Sequence, residues 1–67
     1  MQNSIKLPAS QLKIGDRIYF SFLIAEIEKL VSLPSGATKV YGRFEDQKFP
    51  QHLATSTDKV LFTVLNR

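Results

Sequence analysis

Two stretches of this chain alternate hydrophobic and polar residues with a period of two. "RIYFSF" (17–22) sets Ile18, Phe20 and Phe22 against Arg17, Tyr19 and Ser21, the pattern of a half-buried strand. "TKVYGRFED" (38–46) sets Val40 and Phe44 against Lys39, Tyr41, Arg43 and Glu45. "KVLFTVLNR" (59–67) is rich in Val, Leu, Phe and Thr and reads as a closing strand. "QKFPQHLATSTD" (47–58) is polar and broken by Pro50, a loop with a short strand near His52–Thr55. Gly15-Asp16 and "LPSGA" (33–37) mark turns, and "PASQL" (8–12) suits one helical or 3₁₀ turn. Residues 1–6 are expected to form a loose arm, with 7–67 as one small domain.

The stretch 21–33 fits two periods. As a helix capped by Ser21 it aligns Leu23, Ile24, Ile27, Leu30 and Val31 on one face, with Glu26 and Lys29 outside. As a strand it must pair with 38–46. With Pro34–Ala37 as the turn, Leu33 faces Thr38, Val31 faces Val40, Lys29 faces Gly42 and Ile27 faces Phe44. On the other side Ser32 faces Lys39, Leu30 faces Tyr41 and Glu28 faces Arg43. This register gives apolar pairs on a core face and an opposite-charge pair in solvent. It also drops Lys29 on the core side and sets Glu26 against Glu45. The strand is preferred because an independent segment agrees with it. The expected fold is all-β, a small five-stranded antiparallel barrel; the alternative is α+β, with a helix at about 22–32 packed on a sheet.

The order of parts resembles small Src-homology-3-like (SH3-like) β-barrel proteins common in bacteriophage and mobile-element genomes. The resemblance spans roughly 9–66 and rests on Leu12, Gly15, Asp16, Arg17 and Ile18 of the opener and on Pro34, Ser35 and Gly36 of the long hairpin turn. The apolar "YFSFLIA" departs from it, standing where a polar turn belongs. These matching residues are turn formers and carry no chemistry. The resemblance implies an SH3-like barrel and an accessory role in a host cell.

Composition narrows the function classes. With 67 residues, 43% hydrophobic and 22% charged, the chain has the balance of one globular domain with a thin core. No run approaches the roughly 18 apolar residues of a membrane span, and "MQNSIKLP" lacks the apolar stretch of a signal peptide. The absence of cysteine points to the cytoplasm, that of the host cell if the protein is phage-encoded. The net charge of +3 is spread along the chain, with no two cations adjacent.

Catalysis is not expected. His52 is the only histidine, and it has no nucleophile elbow to serve. One His and no Cys do not make a zinc site, and the isolated glycines form no phosphate loop or dinucleotide fingerprint, so no cofactor is expected. Glu26, Glu28, Glu45 and Asp46 read as a solvated acidic face rather than a cation site. The expectation is a binding module that docks on a protein, a host protein included, through Leu30 and Tyr41 ringed by Lys39 and Arg43. The alternative is a nucleic-acid surface of Arg17, Tyr19, Lys39, Tyr41 and Arg43. Phe20, Phe22, Leu23 and Ile24 exceed what a thin core needs, which leaves room for a second copy of the chain to cover some of them.

Overall fold

The computed structural model of the chain describes residues 4–65. Among them are six strands, β1 (Ile5–Pro8), β2 (Arg17–Phe20), β3 (Leu23–Ser32), β4 (Thr38–Phe44), β5 (Gln51–Ser56) and β6 (Leu61–Val64), and a 3₁₀ turn at Ala9–Gln11. All pairings are antiparallel, in one sheet of order β1-β6-β2-β3-β4-β5. The all-β reading holds, and the helix alternative at 22–32 does not: that stretch is the ten-residue strand β3. Both of its edges are used, since Leu23–Glu26 pair with β2 and Ala25–Ser32 pair with β4. No helix among the described residues is long and apolar enough to cross a membrane.

The expected arm is corrected at its end. Ile5 and Lys6 pair with Val64 and Thr63, because β6 has an edge left open by β2 and Leu7 of the same strand packs against the core. Residues 1–3 and 66–67 lie outside the described chain. The sheet therefore has six strands rather than five.

The Lys13–Asp16 turn leads into β2. Gly15 sits at φ 94°, a conformation open to glycine. The buried carboxylate of Asp16 accepts a hydrogen bond from the Lys13 N–H at 2.8 Å. Gly15 N–H then donates to Ile27 O at 2.9 Å and Ile27 N–H to Asp16 O at 2.8 Å, which extends the β2–β3 ladder to the turn.

The β3–β4 register differs by one residue from the sequence expectation. Gly36, at φ 92°, donates its N–H to Leu33 O at 3.0 Å, and Leu33 N–H donates to Ala37 O at 2.8 Å. The loop is thus three residues with a left-handed glycine at its end, one shorter than the four-residue turn expected. Ser32 meets Thr38, Leu30 meets Val40 and Lys29 meets Tyr41. A bulge at Glu28 then shifts the register again, so that Ile27 meets Gly42 and Glu26 meets Arg43. Both awkward features of the expected register vanish: Lys29 turns outward, and Glu26 faces a cation instead of Glu45.

A second bulge, at Leu53 of β5, lies across β4 one residue away, so that the Tyr41 rung stands between the two. The next rung is that of Gly42, paired with Ile27 and Gln51. A Cβ there would stand 2.6 Å from the Glu26 carbonyl oxygen and 2.9 Å from the Leu53 side chain.

The core is assembled from inward rows. Val64, Ile18, Ala25 and Phe44 are successive cross-strand partners over four strands, and Ile5 continues the row on β1 but stays exposed. Ile18, Ala25, Ile27, Val40 and Val64 are wholly buried. Phe20 stacks on Phe62 at 6.4 Å between ring centroids, and the 3₁₀ turn contributes buried Ala9 and packs against β4.

Candidate docking surface

The outward face of β2, β3 and β4 is built from the alternate residues that the core does not use. Nearest the β2–β3 turn, Tyr19 pairs with Ile24. One rung on, Arg17, Glu26 and Arg43 lie side by side across three strands. Past the bulge, Lys29, Tyr41 and His52 form the next row, and Val31, Lys39 and Thr55 the one after.

Both arginines are held by carboxylates. Arg17 pairs with Glu45, and Arg43 Nε donates to Glu28 Oε2 at 2.9 Å. The Glu28–Arg43 pair is the one expected from the sequence, formed by way of the bulge rather than a direct rung. The side chains involved are partly exposed, so these pairs orient the surface more than they stabilise it. Among the described residues, no three His, Cys, Asp or Glu converge as a metal site would require.

Tyr41 is held from two sides. Lys29 Nζ lies over its ring at 5.5 Å from the centroid, and the His52 ring meets it edge-on at 5.4 Å. His52 Nε2 is 2.8 Å from Thr55 Oγ1. Lys39, half-buried, neighbours Val31 and Thr55.

Of the four residues expected at a protein contact, the structure brings Lys39, Tyr41 and Arg43 onto one face and removes Leu30. Leu30 pairs with Val40 and packs against the core, because the shorter hairpin loop turns its side chain inward. The five residues of the nucleic-acid alternative all face outward, with Arg17 and Arg43 already paired to carboxylates.

An apolar centre exists elsewhere on the molecule. The β2–β3 connection is only two residues, Ser21 and Phe22, both with positive φ (50° and 66°). Such a turn suits the right-handed twist of the flanking strands but normally takes Asn-Gly or a similar pair. Phe22, expected to point into the core, is instead 87% exposed at the tip. Beside it a shallow groove of about 420 Å³ is walled by Tyr19, Phe22, Leu23, Ile24 and Phe44, with Glu45 and Asp46 completing the wall. Tyr19 and Leu23 are 50% and 52% exposed. The signal for this groove was in the sequence as the surplus of apolar residues at 20–24; what hid it was the assumption that Phe22 continues the alternation of β2.

Compared with known protein families, curated proteins and solved structures, the chain matches none.

Proposed function

We propose that the protein is a small non-enzymatic binding module that docks on another protein in the cytoplasm. The observation that carries this reading is the groove at the β2–β3 turn: an exposed apolar centre bordered by Arg17, Glu26, Arg43 and Glu45, whose opposite charges are interleaved. Apolar centres with mixed polar rims are the anatomy of protein contacts. A track for phosphates needs uncompensated cations, and both arginines here are compensated. The absence of cysteine supports a reducing compartment. His52, with Thr55 and Tyr41 as its neighbours, supports no catalytic assignment.

We also infer that the sheet curls into an SH3-like barrel. In support, β1 lies at one edge of the sheet, yet the 3₁₀ turn that follows it packs against β4 near the other edge. The resemblance to bacteriophage proteins makes a host protein one candidate for the docked protein.

A second reading, single-stranded nucleic acid, is favoured by one feature. Past the bulge, the rows of Lys29, Tyr41, His52 and of Val31, Lys39, Thr55 contain no carboxylate. Against it, Lys29 covers the Tyr41 ring that a base would stack upon.

Two measurements separate the readings. Mixed oligonucleotides at low salt are expected not to bind; binding that weakens steeply with added salt would establish the second reading and overturn the first. Affinity capture is expected to lose its captured protein at least about thirtyfold with Phe22→Ser and to keep it with Ile14→Ser. Ile14, 71% exposed, sits in the turn before β2, away from the groove, and controls for general stickiness.

A further inference from the structure

We infer that the occupant of the groove is a second copy of this chain, each copy inserting Phe49 into the other's groove and setting Lys48 against the other's Asp46. The inference rests on the reading of the groove as a protein-docking surface, and it deepens that reading by naming the protein that docks.

The groove asks for an aromatic or aliphatic side chain with a cation next to it. Its wall is apolar, and two carboxylates complete it. Glu45 is engaged by Arg17, whereas Asp46 has no ion-pair partner among the described residues. The chain carries the matching element in its own β4–β5 loop, where Lys48 and Phe49 precede Pro50. Phe49 is 78% exposed, and Lys48 likewise has no ion-pair partner among the described residues. Neither residue belongs to the wall of its own groove, so one copy does not satisfy itself.

Groove and knob are also placed for reciprocity. The rung Ala25–Phe44 marks the end of the β3–β4 ladder, and both the turn carrying Phe22 and the loop carrying Phe49 lie beyond that rung. A two-fold interface needs donor and acceptor on one self-complementary patch, and a patch of this kind closes as a dimer rather than growing into a fibre. It also covers Phe22 and Phe49, two of the most exposed large apolar side chains of a chain too small to carry such a patch without consequence.

Sedimentation equilibrium of the full chain, carried up to about 1 mM, reads the association directly. A dimer is expected, with Phe49→Ser raising its dissociation constant at least about thirtyfold while circular dichroism stays that of the parent. Asp46→Lys and Lys48→Asp are each expected to weaken the dimer, and the two together to restore it, since the swapped pair again has opposite signs. A wild-type chain that is monomeric throughout overturns the proposal, as does a dimer indifferent to Phe49→Ser or a double swap no better than either single one. If the chain is monomeric while Phe22-dependent capture of another protein persists, the second copy is the wrong occupant and the docking reading stands. If both are missing, the docking reading falls with it.

Discussion

Gly42 shows how closely this small sheet is fitted at the level of a single residue. It lies beside Tyr41, which two bulges flank from opposite sides of β4, and it lets the Glu26 carbonyl approach to a distance no side chain tolerates. The nearest obstacle is backbone, which has no rotamer to escape into. Gly42→Ala is therefore expected to destabilise the fold by roughly 1–3 kcal/mol, the usual range for overpacking. A lowered urea midpoint with an unchanged slope is the signature to look for. Little of this was visible in the sequence. "YGRF" reads as a strand with a small residue in it, and the spacing of the bulges that make the glycine necessary is set by neighbours on two other strands.

At the scale of elements, the connections decide which surface the strands present. The β3–β4 loop is the instructive one. "LPSG" announced a turn, and the strands on either side were legible from their alternation. Whether the loop held three residues or four was not, because that depends on Gly36 adopting a left-handed conformation. One residue of slip exchanges Leu30 for Lys29 on the outer face, and with it the expected centre of the contact. The β2–β3 turn carries the converse lesson. Ser21 and Phe22 are unsuited to positive φ, so the chain retains them at a cost of order 1 kcal/mol or more. Ser21→Asn combined with Phe22→Gly is expected to raise stability by about 1 kcal/mol, since those residues favour this turn. The same double substitution removes Phe22 from the groove wall, so groove-dependent association should be lost as the melting temperature rises. A joint loss of stability and binding would show that Phe22 serves the fold alone.

For the molecule as a whole, the thinness of the core is the governing fact. A chain of this length has a net stability of about 3–10 kcal/mol. Ile18 lies within the inward row that crosses β6, β2, β3 and β4 and is wholly buried. Ile18→Ala is expected to cost roughly 2–5 kcal/mol, enough to leave a sizeable unfolded fraction in the absence of denaturant, as chemical-denaturation baselines would reveal. The sequence made the class of the fold and five of the strands legible, β2 and β4 from local alternation and β3 from its agreement with β4. It did not make β1 legible. "IKLP" has too few residues to show a period, and its strand character comes from β6, at the far end of the chain.

That distance in sequence has a consequence in time. The rungs of β2 through β5 join neighbours along the chain, so each hairpin closes a short loop and is able to form early. The rung from Ile5 to Val64 closes nearly the whole described chain at once, and that from Val64 to Ile18 most of it. They therefore wait for the meander to exist before they are favourable. The chain is expected to assemble from its middle outward, with the seam between β1, β6 and β2 the last to zip and the first to lose amide-exchange protection.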